Sequence, residues 1–137
     1  MTSDYGIKVL WAGWQNEPYF GFSAQGYKQW GNNIEIGSHM LLYESLKPRP
    51  GHNRGIQSIM AEVEVVTGFD EVTDVVAPTV EHEHLIGVKV LRLRGSVNPI
   101  PLDHIRQIIQ KSSFPSGFTY WRLTAAEYTN LLKEWDR

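Results

Sequence analysis

The sequence predicts one α+β domain, a small and partly open antiparallel or mixed β-barrel with flanking helices. Three observations lead to this fold class. Apolar and polar residues alternate in several short segments, the alternation slips by one residue within one of them, and helical spacing is confined to the last third of the chain. The 137 residues amount to a single domain, 1–137, and a domain of this length buries about 70% of its unfolded surface.

The first strand is predicted at residues 7–11, where every second residue is Ile, Val or Trp, and it ends at Gly13. Residues 13–37 follow neither a helical nor a strand period and contain Pro18. We therefore expect a loop with short helical pieces there. The compact apolar run at residues 38–44 predicts a buried strand.

Two further segments continue the predicted sheet. Residues 47–55 are expected to form a surface loop, because Pro48 and Pro50 cannot sit in a central strand. Residues 59–65 alternate Ile, Ala and Val with Met and Glu. This alternation predicts a half-buried strand.

The segment 86–94 changes phase in its middle. Ile86, Val88 and Val90 share one face, but Leu91 and Leu93 then take over as the apolar positions. A one-residue slip turns every later side chain to the opposite face unless an extra residue is accommodated. We therefore predict a β-bulge at Val90 and Leu91, a common device where strands bend around a barrel.

Helical spacing appears at residues 102–109, and again after Thr124. Thr124 and Glu127 form a capping-box pattern, in which the hydroxyl and the carboxylate satisfy free backbone amides at the helix start. A short strand is predicted between the helices at residues 118–122. The chain thus reads as strands followed by helix, short strand and helix.

Composition excludes several classes of protein. The absence of cysteine excludes disulfide scaffolds, thiolate zinc sites and cysteine nucleophiles. No apolar run approaches the ~20 residues needed to cross a bilayer, and the first residues lack the basic and apolar regions of a signal peptide. We therefore expect a soluble cytoplasmic domain without a membrane partner.

The net charge of −2 argues against nucleic-acid binding through bulk electrostatics alone. The charge is nevertheless uneven. A basic cluster occupies one Pro/Gly loop, and five further basic residues fall between Lys89 and Lys111. Both clusters are compatible with a local positive face and equally with ordinary solvated strands and helices.

Aromatic residues give the strongest local signal. Seven of the sixteen aromatic residues of the chain fall within residues 11–30. Flat side chains in a loop suit stacking on nucleobases, at about 1–3 kcal/mol per base. The alternative is that they fill the core, which we expect of Phe20, Phe22 and Tyr27. A pocket formed by two or three of the tryptophans is the functional prediction.

Signals for catalysis or metal binding are weak. His82 and His84 share a face of an extended segment, and His104 would have to join them to hold a metal. Glu62 and Glu64 likewise share a face, as they would on any half-exposed strand. No phosphate-cradling glycine loop and no G-x-S-x-G elbow occurs. We therefore expect no catalytic residue, no metal and no cofactor.

The order of several short motifs resembles a known superfamily. Trp30 and the turn Asn32-Asn33-Ile34 precede an apolar strand that ends at Tyr43 and Ser45. Residues 59–66 and 117–124 then follow as a second strand and a closing segment. This arrangement is similar to the PUA-like superfamily, and most of all to its EVE branch, which is related to the YTH readers.

The chain departs from that branch at three places. Ser38 stands where the branch has Asp, Glu44 where it has His, and Ala12-Gly13 where it has a polar Lys-Ser pair. The resemblance implies a pseudo-barrel whose aromatic pocket accepts a nucleobase, often a modified one turned out of its strand.

The resemblance also implies a set of site residues. The residues expected to bind the base are Trp11, Trp14, Trp30, Asn32, Tyr43 and Ser45. Those expected to meet phosphate are Lys47, Arg49 and Arg54.

Three functions remain open on the sequence. The favoured one is a module that binds DNA or RNA through a modified base, without catalysis. The second is a small PUA-like nuclease or nucleotide hydrolase that uses Lys28, Tyr27 or the histidines. The third is a protein-interaction domain in which exposed aromatic residues dock a partner chain.

Overall fold

The computed structural model describes residues 4–14, 16–72, 75, 82–93, 98–115 and 119–136. The strands are Tyr5–Ala12 (β1), Tyr19–Phe22 (β2), His39–Pro48 (β3), Ser58–Thr67 (β4), His84–Leu93 (β5), Ile100–Pro101 (β6) and Tyr120–Arg122 (β7). The helices are Ala24–Trp30 (α1), Leu102–Ile109 (α2) and Ala125–Lys133 (α3), the last extended by a 3₁₀ turn at Glu134–Asp136. No helix in these ranges is long and apolar enough to cross a membrane.

The seven strands form one mixed sheet in the order β2-β5-β4-β3-β1-β7, with β6 paired to β4. β1 and β3 are parallel, and the remaining pairs are antiparallel. The sheet curls into a half-barrel flanked by the three helices, so the predicted α+β class is confirmed. Of the two predicted sheet types, antiparallel and mixed, the structure has the mixed one.

Two local predictions are confirmed in detail. In the β4–β5 ladder Glu62 pairs with Arg92 and Val63 with Val90, which leaves Leu91 as the extra residue of a bulge. At the start of α3 the Thr124 hydroxyl accepts from the amide of Glu127, whose carboxylate accepts from the amide of Thr124. Both features follow from local sequence, because neither requires a distant partner to be known.

The prediction for residues 13–37 was only partly right. The segment contains the helix α1, but also the strand β2, which pairs with β5 at one edge of the sheet. The predicted loop at residues 47–55 was wrong at its start, since β3 continues to Pro48. Proline is tolerated there because the β3–β4 ladder has already ended at Glu44 and Ser58.

The sheet separates two hydrophobic clusters. The inner cluster lies in the curl of the half-barrel and includes Leu10, Trp14, Phe20, Phe22, Met40, Leu42, Val63, Ile86 and Tyr120. The outer cluster lies between the sheet and the helices α2 and α3 and includes Ile7, Leu41, Tyr43, Ile59, Ile105, Phe114, Tyr128 and Leu131. Phe20 and Phe22 are thus core residues, as predicted. Arg94 and Phe118, the ends of two predicted strands, lie outside the described residues.

Candidate functional site

A small cleft opens where the end of β1 meets β2. Its lining residues are Lys8, Val9, Leu10, Trp11, Trp14, Phe20, Gly21, Arg49 and His82. Its volume is about 40 Å³, which accommodates about three water molecules at ~10–15 Å³ each. A planar ring is larger, so only one edge of it fits while the cleft keeps this shape.

Two backbone irregularities shape the cleft. The β1–β3 ladder shifts register between Leu10 and Ala12, which changes the direction of Trp11 at the end of the strand. On the opposite wall, a Cβ on Gly21 would collide with the carbonyl oxygen of His82. Glycine at this position lets the segment that carries His82 lie directly against β2.

Trp11 is the half-buried aromatic wall of the cleft. The Lys47 ammonium lies 3.8 Å from the centroid of its ring. The His82 ring meets the indole edge-on, with ring centroids 4.9 Å apart. Trp11 therefore has a cation over its face and an imidazole at right angles to its ring.

Trp14 forms a more deeply buried wall. Its side chain is 8% exposed and packs in the inner cluster. The indole Nε1 donates to the carbonyl oxygen of Tyr19 at 3.4 Å. This bond holds the ring to the start of β2, so Trp14 supplies a fixed surface rather than a free stacking platform.

Lys8 is the unexpected member of the cleft. Its side chain is charged in its ordinary form, yet it is only 1% exposed. Its Nζ donates to the carbonyl oxygen of Val9 at 3.1 Å. The Phe22 ring centroid lies 4.5 Å from the same nitrogen. Burial disfavours the charged form and lowers the pKa of Lys8 to about 7.

The predicted phosphate-contacting residues differ in their surroundings. Arg49 lines the cleft and forms an ion pair with Glu17, with Nη1 and Oε1 2.8 Å apart. Lys47 covers Trp11, as described, and its side chain is exposed. Arg54 is exposed on the same loop. Of the three, Arg49 lines the cleft and is partly neutralised by Glu17, and Lys47 lies over the Trp11 ring.

Of the residues predicted to bind a base, the structure brings Trp11 and Trp14 together in the cleft. The other four lie elsewhere. Trp30 packs on Tyr120 with ring centroids 5.4 Å apart, and Asn32 is exposed in the turn after α1. Neither residue is part of the cleft lining.

Tyr43 and Ser45 make contacts that support the fold. The Tyr43 ring is 1% exposed and meets Phe114 edge-on in the outer cluster, on the far side of the sheet. The Ser45 hydroxyl donates to the carbonyl oxygen of Leu10 at 2.9 Å, which ties β3 to the irregular end of β1. Ser45 thus supports the strand that carries Trp11.

The three histidines considered as metal ligands lie in different places. His82 lies at the cleft, His84 stacks on Tyr27 at 4.1 Å, and His104 lies 3.6 Å from the carboxylate of Glu134. Within the described ranges, no group of three His, Asp or Glu side chains is arranged to hold a metal. Glu62, the other candidate from the sequence, has a structural partner. Its carboxylate accepts a hydrogen bond from the Tyr128 hydroxyl at 2.5 Å.

Sequence reasoning missed Lys8, Phe20, Gly21 and His82 as cleft residues. Lys8 alternates with apolar residues, which normally indicates a solvent-facing position. The Phe22 ring of β2 lies against the Lys8 amine, and this contact is distant in sequence. The single usable signal was the failure of residues 13–37 to form a clean helix or strand pattern near a strand rich in aromatics.

Comparison with known proteins supports the fold. No protein-family model and no curated protein sequence matches the chain. Among solved structures, a hypothetical protein from Leishmania major is similar over 99% of this chain and 98% of its own, with a TM-score of 0.67 and 16% identity. A structural-genomics protein from Agrobacterium tumefaciens is similar over 96% and 92%, with a TM-score of 0.62 and 13% identity.

The YTH domain of the Zygosaccharomyces rouxii MRB1 protein, solved in complex with N6-methyladenosine RNA, is also similar. The match covers 97% of this chain and 89% of that one, with a TM-score of 0.61 and 11% identity. At such low identity the likeness concerns the fold alone. The chain therefore shares the fold of this YTH domain.

Proposed function

We propose that this protein is an RNA-binding module that holds one nucleobase, in modified form, by its edge in the Trp11 cleft, without catalysis. The single observation that carries the proposal is the cleft itself: a half-buried indole bordered by cationic side chains. The similar YTH domain solved with N6-methyladenosine RNA supports RNA as the class of partner. The sequence resemblance to the EVE branch agrees with this.

The free-energy cost of turning a base out of its stack is offset by stacking on Trp11 and by phosphate contacts. Turning a base out of its stack costs a few kcal/mol, and the cost is smallest for a base that is single-stranded or modified. Stacking on an aromatic wall returns about 1–3 kcal/mol. Phosphate contacts from Lys47, Arg49 and Arg54 supply the remaining affinity, because each released counterion favours the complex.

The bound base would use Trp11 and Trp14 differently. Trp14 is held in place by its hydrogen bond to Tyr19 and forms a rigid wall of the cleft. Trp11 is less buried, and the Lys47 ammonium lies over its face. The base therefore places one edge in the cleft and stacks on Trp11 after Lys47 moves aside, and the displaced ammonium is then close to the adjoining phosphate.

A binding titration tests this proposal. Short 3′-fluorescein RNAs and DNAs, with unmodified or methylated central bases, are titrated with protein at low salt (~50 mM) and followed by anisotropy. We expect saturable binding to RNA, weakened about 5- to 150-fold in Trp11→Ala, the equivalent of losing one stacked base.

Trp121→Ala serves as the matched control. Trp121 is another half-buried tryptophan, but it packs in the outer cluster against Phe114. Thermal melting of both variants verifies that they fold. Absence of saturable binding to every oligonucleotide, or equal weakening by the two substitutions, would contradict the proposal.

A further inference from the structure

The buried amine of Lys8 lacks the partners that a buried charge normally has. An ammonium group carries three donors, and the described part of the chain supplies one acceptor, the carbonyl oxygen of Val9 at 3.1 Å. Within the described residues no carboxylate forms an ion pair with it. Buried charges are usually paired or fully hydrogen-bonded, so this arrangement is costly for the free protein.

The surroundings compensate the cost only in part. The Phe22 ring faces Nζ at 4.5 Å and contributes a cation–π attraction. Desolvation still dominates, and it lowers the pKa of the amine to about 7. A leucine or methionine would fill the same space without this cost. A costly buried polar group in a cleft is a reason to look for a ligand atom that completes it.

The geometry points to such an atom entering the cleft. Lys8 lines the cleft, and so does Val9, whose carbonyl oxygen the amine already contacts. We propose that Lys8 donates to a carbonyl oxygen of the bound base, so that the module selects an oxo base, such as a 6-oxopurine or uracil, over the matching amino base. This inference rests on the proposed function, because it names the class of base that the Trp11 cleft holds.

The selectivity follows from donor and acceptor chemistry. Lysine pairs with the O6 and N7 acceptors of a 6-oxopurine, whereas an amino base would place its own N–H groups against the ammonium. Leaving both sets of donors unpaired in a dry site costs about 1–3 kcal/mol. The expected preference is therefore about 5- to 150-fold.

The experiment compares RNAs that differ at one base. Inosine against adenosine, and uridine against cytidine, change one carbonyl to an amine while the rest of the ring keeps its shape. Anisotropy titrations are run at about pH 6.5, where the ammonium form is populated. We expect the wild-type protein to prefer at least one oxo base of the two pairs, and Lys8→Met to lose that preference while it still binds the amino partner.

Lys89→Met is the matched control, since Lys89 is an exposed lysine on β5. It should keep the preference. Equal affinity of the wild-type protein for both members of both pairs, or a preference that persists in Lys8→Met, overturns this inference. If Trp11→Ala still weakens binding in that case, the proposed function stands. If no RNA binds at all, both proposals fail together.

A labelling experiment decides the matter should Lys8→Met fail to fold. The wild-type protein is treated with formaldehyde and cyanoborohydride, and methylation of Lys8 is followed by peptide mass spectrometry. The oxo-base RNA should protect Lys8 more than its amino-base partner at equal saturation. Equal protection by the two RNAs overturns the inference.

Discussion

The ammonium of Lys47 lies 3.8 Å from the centroid of the Trp11 indole ring. The two residues come from different strands, β3 and β1, which run parallel at this end of the sheet. The contact is worth about 0.5–1 kcal/mol at an exposed site. Lys47 thus occupies the face on which a base would stack, and it has to move before the base binds.

Lys47→Met should separate these two roles of Lys47. Loss of a phosphate contact should lower the slope of log K against log salt by about 0.7 for a single strand. The affinity extrapolated to high salt should stay unchanged or rise, because the indole face is no longer covered by a cation. Anisotropy titrations at four or more salt concentrations measure both quantities. A parallel loss of affinity at every salt concentration would show that Lys47 contacts the base instead.

Glu17→Gln should strengthen RNA binding at low salt. Glu17 holds the Arg49 guanidinium through an ion pair of 2.8 Å, and both side chains are largely buried. Removing that charge leaves Arg49 free to meet phosphate, so the salt slope should become steeper by up to about 0.7. Arg49→Gln should make it shallower by a similar amount. The prediction fails if the two variants change the slope in the same direction.

Tyr128→Phe should destabilise the fold without affecting RNA binding. The Tyr128 hydroxyl donates to the carboxylate of Glu62, which is 6% exposed, across the interface of α3 with the sheet. Losing a hydrogen bond to a buried charged group costs about 1.5–3 kcal/mol of the free energy of unfolding. Urea denaturation measures it.

Tyr5→Phe is the control for this substitution. Tyr5 packs against Tyr128 with ring centroids 4.9 Å apart, and its hydroxyl makes no hydrogen bond within the described ranges. It should lose less than about 0.5 kcal/mol, as is usual for a substitution away from such features. Similar losses in the two variants would contradict a specific contribution from the Tyr128–Glu62 hydrogen bond.

Gly6→Ala should destabilise the protein severely. A Cβ on Gly6 would collide with the ring and hydroxyl of Tyr120, whose side chain is fully buried. The same hydroxyl donates to Asp4 at 2.6 Å, so the ring cannot retreat without breaking a buried bond. Overpacking of this kind costs about 1–3 kcal/mol or more. Gly68→Ala meets its nearest neighbour at 3.5 Å and should be tolerated. Thermal melting compares the two, and equal melting temperatures would contradict the prediction.

The sequence predicted the features that depend on local patterns. The bulge at Leu91 follows from a change of phase within one strand, and the cap of α3 follows from the spacing of Thr124 and Glu127. The fold class follows from the order of such elements. Each of these can be read without knowing which segments become neighbours.

The candidate site was harder to predict because its residues are brought together by distant pairing. β2 is four residues long and lies between Pro18 and α1, so its pattern is too short to identify. Its pairing with β5 places Gly21 against the segment that carries His82. Tyr43 ends on the opposite face from Trp14 for the same reason: the choice of face depends on what covers the sheet.

The burial of Lys8 predicts an unusual pH dependence of stability. Its pKa is about 7 in the folded protein against 10.5 for an ordinary lysine. Between these values the unfolded chain binds more protons, so the free energy of unfolding rises with pH. The gain from pH 7 to 9 should be about 2 kcal/mol. It should be absent in Lys8→Met, which should also be more stable than the wild-type protein at neutral pH.

Denaturation in urea at pH 7, 8 and 9 measures this gain. The range stops below pH 10, because burial raises the pKa of Tyr120 and Tyr128 and their ionisation on unfolding then lowers stability. Lys89→Met should keep the wild-type rise, since Lys89 is exposed. A flat profile in the wild-type protein would mean that the Lys8 amine has found an acceptor or water that keeps it charged, and the case for a ligand oxygen at that position would be lost with it.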